Sequence, residues 1–258
     1  MPIHPTAIVD ASARIADSAD VGPFCVIGAD VEIGPDTRLM GHVYAEGPLS
    51  VGESNTFYPY STVGVAPQDL KYKGERSSTI IGSRNRIREF VTIHRGTEGG
   101  GMVTRIGDDN LLMAYAHVAH DAIIGNSTVL ANGVTLAGHV LIGDWAVIGA
   151  FTGVHQFCRV GRHAMIGGYS VVTQDILPYS TTVSEREIRT FGANRTGLER
   201  RGFSNESIEA LQTAFRLLTR SGLNTTQAID KIRAEVPACT EVDEVLAFIA
   251  ESKRGIVK

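Results

Sequence analysis

From Ile106 to Val172 every sixth residue is aliphatic: Ile106, Leu112, Val118, Ile124, Leu130, Leu136, Ile142, Ile148, Val154, Val160, Ile166 and Val172, twelve positions in succession. A period of six matches neither the turn of an α-helix nor the alternation of a strand, so the repeating unit is a supersecondary one. Glycine follows the aliphatic residue at Gly107, Gly125, Gly143, Gly161 and Gly167, where the missing side chain permits a tight corner. The pattern is that of a parallel β-helix. Three hexads make one triangular turn, and each aliphatic side chain points into the prism. Residues one full turn apart, such as Val118, Leu136, Val154 and Val172, then stack in a column with layers about 4.8 Å apart.

The same register already runs from Ile3 through Val9, Ile15, Val21, Ile27 and Ile33 to Val63. It lapses, resumes at Ile81, Ile87 and Ile93, and lapses again before Ile106, which predicts loops near 66–78 and 94–104. If both are simply extruded from the coil, Val63 stacks under Ile93 and Ile93 under Val118. The hexads end at Val172, and residues 174–194 read as a linker. Helical spacing follows: Ile208, Leu211, Phe215 and Leu218 after the cap Ser204, Ala228, Ile229 and Ile232 after Thr225, and Val242, Val245, Leu246 and Ile249 after Thr240. The chain is therefore expected to be mainly β, with a parallel β-helix over 1–190 and a small helical domain over 191–258.

A net charge of −4 and a pI near 6.1 give no support to a nucleic-acid partner. Three widely separated cysteines, an odd number, suit a reduced cytoplasmic protein. The N-terminus has neither a basic leader nor an apolar run, and no stretch is long enough to span a membrane.

The coil places the histidines. His117 and His120 flank Val118, and His120 and His139 are nineteen residues apart, one turn plus one. Their imidazoles should meet on adjacent coils near one edge. With extruded loops, His94 joins that edge one turn lower, Asp69 and Lys71 spring from it, and His155-Gln156 follows Val154 above it. One exposed histidine on a coil is usually surface decoration; four on one edge suggest a site. Imidazole supplies a general base of near-neutral pKa. Two other readings fit the same residues. His117, His120 and His139 have the chemistry of zinc ligands, and such coils also serve as inert scaffolds. Arg195, Arg200 and Arg201, bunched where the helical part begins, form either a solvated face or an anion site.

Gln68-Asp69-Leu70-Lys71-Tyr72-Lys73-Gly74-Glu75, Thr92-Ile93-His94-Arg95-Gly96-Thr97, Ala116-His117-Val118-Ala119-His120-Asp121, Leu136-Ala137-Gly138-His139-Val140, Val154-His155-Gln156-Phe157-Cys158 and Arg200-Arg201-Gly202-Phe203-Ser204 resemble the successive motifs of bacterial UDP-N-acetylglucosamine acyltransferases. The resemblance covers nearly the whole chain. It implies a left-handed coil, a homotrimer with sites between neighbouring subunits, and transfer of a 3-hydroxyacyl chain from acyl carrier protein to the sugar 3-hydroxyl of UDP-N-acetylglucosamine, the opening step of lipid A synthesis. It implies no cofactor, no metal and no acyl-enzyme. His120 matches the family's general base, and Gly138 the amide that faces the oxyanion, with His139 beside it. Asp121 is a candidate to orient a histidine, although neighbouring strand residues face opposite ways. Asp69 and Lys71 match the sugar- and phosphate-binding pair. His94, His117, His155, Gln156, Asn194, Arg200 and Arg201 match positions lining nucleotide and sugar.

Gly168 stands where a bulkier residue can block the acyl groove in this family, so the resemblance implies an open groove for a chain of roughly fourteen carbons. The chain departs from the family at Ser184-Glu185-Arg186-Glu187-Ile188, which is one residue longer, and at Thr196, where an acid is common. Arg216, Arg220, Lys231 and Arg233 are candidates to dock an acidic carrier protein.

Overall fold

The computed structural model describes residues 3–184 and 188–258. The hexads form a left-handed parallel β-helix with three sheets as its faces. One face stacks Val9, Ile27, Ala45, Val63, Ile93, Val118, Leu136, Val154 and Val172 in direct register. The second carries Ile106, Ile124, Ile142 and Val160, and the third Leu112, Leu130, Ile148 and Ile166. These side chains fill the prism; Ile93, Val118 and Leu136 have no accessible surface. The pairing of Val63 with Ile93 and of Ile93 with Val118 shows that both lapses in the repeat are extruded loops.

The hand is opposite to that of ordinary β-crossovers, and the corners carry the strain. From Phe24 onward most corners carry one residue at positive φ, among them Tyr115 at 65°, Asp121 at 59° and His139 at 62°. Corner side chains one coil apart lie over one another. Phe24, His42, Tyr60, Phe90 and Tyr115 form a stack along the edge between the third and first faces, with centroid spacings of 5.0, 4.9, 5.1 and 4.9 Å. Trp145, His163 and Tyr179 form another between the second and third.

Residues 174–194 are not a plain linker. Ile176 bridges to Val160, strand Ser180–Ser184 pairs in parallel with Met165–Ile166, and Ile188–Ala193 returns antiparallel. Ile176 follows Val172 after four residues instead of six, and Thr182 rather than an aliphatic residue lies over Ile166, so the last layer is out of phase with the hexads and polar at one inward position. Glu185, Arg186 and Glu187, in the segment that departs from the family, lie outside the described residues.

Among the described residues four helices follow, α1 (Arg195–Arg200), α2 (Asn205–Arg220), α3 (Thr225–Glu235) and α4 (Thr240–Glu251). The last three match the helical spacing. At six residues α1 is too short to show a period. Ser204 caps α2 as expected, but Asn224 caps α3, in a reciprocal box with Gln227, and Cys239 precedes α4 without a side-chain cap. The helices share a core with Leu177, Tyr179 and Ala193 of the last coil. Among the described residues no helix is long and apolar enough to cross a membrane.

Candidate active site

His120 and Asp121 occupy the corner between the first and second faces. At φ 59° Asp121 leaves strand geometry, so alternation does not separate the pair, contrary to the expectation from strand spacing. Its carboxylate is fully buried under the 94–104 loop. Oδ1 accepts from the Thr97 amide at 2.9 Å and Oδ2 from Thr97 Oγ1 at 2.6 Å, while the Asp121 amide donates to Thr104 Oγ1 at 2.8 Å. His120 Nδ1 lies 2.8 Å from Oδ2. An ionised carboxylate only accepts, so Nδ1 carries the proton and Nε2 offers a lone pair. Gly100 backs onto this carboxylate so closely that a Cβ there would overlap it.

His139 sits one coil above, its ring perpendicular to that of His120 with centroids 5.1 Å apart, and its amide donates to the His120 carbonyl at 3.0 Å. Between them Gly138 leaves room for the base: a Cβ would stand 2.5 Å from His120 Cε1 and 2.7 Å from Nε2. Among the described residues the Gly138 amide proton has no acceptor. Burial lowers the His139 pKa; Asp121 and Asp69 act upward against it and His120 further downward. The Asp69 contribution sets the 66–78 loop near this edge, where Asp69 Oδ1 accepts from the Lys71 amide at 3.0 Å and Leu70 between them is fully exposed.

His94 and His117 lie on the first face below, edge to face at 4.8 Å. His94 is 4% exposed, its Nδ1 lacks a partner among the described residues, and burial, with His117 and His120 nearby, pushes its pKa down to about 4. Burial also lowers His117, whose Nδ1 is 2.7 Å from Thr92 Oγ1. Among the described residues of one chain, the three histidines considered as zinc ligands do not come within mutual reach. The set within mutual reach is His120, Asp121 and His139, with donor atoms all within 4.8 Å of one another, and Asp121 already accepts three hydrogen bonds there.

Above the pair, His155 and Gln156 are exposed, and Arg254 Nη1 reaches both, 2.9 Å from His155 Nδ1 and 2.8 Å from the Gln156 carbonyl. This cation escaped the sequence reading. It arrives from the C-terminus because Asp175 holds Ser252 Oγ at 3.0 Å and pairs with Gly255, a contact without a local signature. Gly168 lies at the other corner of the first face, exposed, and a Cβ there would stand 3.0 Å from the Ala150 carbonyl.

Asn194, Arg200 and Arg201 are not brought to this edge. With Val147, Met165, Thr181, Thr196 and Gly197 they line a groove of about 500 Å³ over the third face. Asn194 caps α1, accepting from the Gly197 amide at 3.2 Å, and donates to the His163 carbonyl at 3.2 Å. Arg201 lies over the Trp145 ring at 5.4 Å. Arg200 is exposed, and its side chain has no hydrogen-bond partner among the described residues.

A family described as UDP N-acetylglucosamine O-acyltransferase, domain 2, matches residues 175–257, and bacterial transferase hexapeptide repeats match 104–138. An acyl-[acyl-carrier-protein]–UDP-N-acetylglucosamine O-acyltransferase of Thermodesulfovibrio yellowstonii is 48% identical over 99% of both chains, and that of Syntrophobacter fumaroxidans 45% identical over 100% of both. The solved structure of LpxA from Acinetobacter baumannii superposes with a TM-score of 0.96 at 42% identity, covering 100% of each chain. With these relatives matched from end to end, the chain belongs to the UDP-N-acetylglucosamine O-acyltransferase family.

Proposed function

We propose that the protein transfers a 3-hydroxyacyl group from acyl carrier protein to the 3-hydroxyl of UDP-N-acetylglucosamine, the first step of lipid A synthesis, in the cytoplasm and as a homotrimer. The observation that carries the reading is the His120–Asp121 pair, locked by Thr97 and open at Nε2. His120 Nε2 takes the proton of the sugar hydroxyl as its oxygen bonds to the thioester carbonyl carbon. Asp121 holds the tautomer and stabilises the imidazolium. The oxyanion faces the Gly138 amide, with His139 beside it. On collapse the C–S bond breaks and the proton passes from His120 to the departing thiolate, so no acyl-enzyme forms.

His94, His117, His155 and Gln156 line the sugar side of this edge, with Asp69 and Lys71 on the loop. Asn194, Arg200 and Arg201 of a neighbouring subunit bring bidentate donors to the diphosphate. That division supports the trimer, because one chain carries the two halves on different faces. Gly168 leaves the acyl groove open, and Arg216, Arg220, Lys231 and Arg233 are offered to the carrier protein.

Incubation with UDP-N-acetylglucosamine and 3-hydroxyacyl carrier proteins of ten and fourteen carbons, read by product mass, tests the reading. The expected product is the 3-O-acyl nucleotide sugar, with the longer chain favoured. A clear ten-carbon preference overturns the open groove, and no acyl transfer overturns the reaction. Stoichiometric zinc in the purified protein, lost together with activity on chelation, would instead favour a metal centre at His120, Asp121 and His139.

A further inference from the structure

We propose that Trp145 is a positioning residue for nucleotide binding: it holds Arg201 with its guanidinium presented to the groove over the third face. The inference rests on the reading that this groove takes the diphosphate of the nucleotide sugar. Arg201 and Arg200 differ sharply in how they are held. The Arg201 guanidinium lies over the indole at 5.4 Å, Nη2 donates to the Trp145 carbonyl at 3.2 Å, and Nη1 donates to the Gly197 carbonyl at 3.4 Å. Two of its five N–H groups are used, so the others remain for an anion. Burial also lowers its pKa, as expected of a cation packed against the protein rather than dispersed in water. Arg200 has no such support.

The platform is itself fixed. The indole stacks on His163 at 6.0 Å with planes 2° apart, and His163 stacks on Tyr179 at 5.5 Å. The Tyr179 hydroxyl bonds Glu244 of α4, and Phe203 closes edge-on against His163 at 4.8 Å. The His163 carbonyl accepts from Asn194. One corner ladder thus secures α1 at both ends, through Asn194 before its first residue and Arg201 after its last. An arginine held before the ligand arrives loses less rotamer freedom on binding than one that must be immobilised. Arg201 is therefore the preset half of the anion site and Arg200 the adaptable half.

Trp145 is the single tryptophan of the chain, so its emission reports this contact directly. Titration of the full-length enzyme with UDP-N-acetylglucosamine, or with UDP alone, should change that emission saturably over the concentration range of the KM. Trp145→Leu should raise the KM for UDP-N-acetylglucosamine about fivefold, the scale of one cation–π contact, with kcat within about twofold. Trp145→Phe, which keeps a ring face, should recover most of the loss. An unaltered KM in Trp145→Leu overturns the proposal, as does a loss that Trp145→Phe shares in full. Should Trp145→Leu fail to fold, emission of the unmodified enzyme that stays constant at saturating UDP overturns it too. In each of these cases the unmodified enzyme still makes acyl product; an enzyme that makes none sinks the underlying reading instead.

Discussion

At the scale of single residues, the site depends on where His120 can stand. Gly138 gives it that room, because a Cβ would come within 2.7 Å of Nε2. Gly138→Ala is expected to displace the imidazole and lower kcat about a hundredfold, the usual cost of a misplacement near 1 Å, with little change in the KM for the nucleotide sugar; an unchanged kcat would count against His120 as base. Asp121→Asn should cost on the order of 10²- to 10⁴-fold in kcat, since an amide at Oδ2 no longer fixes the Nδ1–H tautomer, and the pH-rate profile reads the change. The spacing of nineteen residues made the approach of His120 and His139 legible before any coordinates. The direction of the Asp121 side chain was not legible, because positive φ at the corner suspends the alternation on which strand reasoning relies. The partners of Asp121 were hidden as well: Thr97 lies in the extruded loop, and Thr104, two residues before Ile106, sits where the repeat asks only for a small residue.

At the scale of elements, the 94–104 loop acts as the lid of the Asp121 pocket. Gly100 packs on the carboxylate and Thr97 supplies two donors. Thr97→Val removes the hydroxyl donor while keeping the amide. It should destabilise the fold by about 1–2 kcal/mol, as a lost hydrogen bond to a buried charge does, and lower kcat as well; chemical denaturation and steady-state rates check the two effects separately. That this segment bulges from the coil was readable from the interrupted repeat, because the hexads on either side keep their columns. The last coil and α1 were not readable. There the inward Ile176 comes four residues after Val172 instead of six, the next inward residue is the polar Thr182, and the layer is covered by helices instead of by another turn of the same period. A repeat is visible only while each layer meets a copy of itself.

At the scale of the whole molecule, the buried imidazoles tie stability to pH. His94 and His163 are pushed down to about 4 by burial, the second also by Arg162 and Arg201. Both are neutral in the folded protein below their ordinary value of 6.5, where the unfolded chain takes up protons. Their contribution is present above pH 6.5 and is lost as the pH falls toward 4. The Tm should therefore drop between pH 7 and 5, and a variant with both His94→Gln and His163→Gln should show a shallower drop; equal slopes would mean that neither imidazole is held neutral. Assembly leads to the last expectation. His120 stands on the edge between the first and second faces and Arg200 over the third, so under the proposed reading the base and the arginine of one site come from two chains. Trimers of His120→Ala and of Arg200→Ala should each be poorly active. When the two are co-expressed in equal amounts, a site has both halves intact only if the base comes from one variant and the arginine from the other, which random mixing in a cyclic trimer gives for about one site in four. Recovery of about a quarter of the wild-type activity in the mixed trimers would place the two residues on neighbouring chains, whereas a mixture no more active than its parents would mean that one chain supplies both.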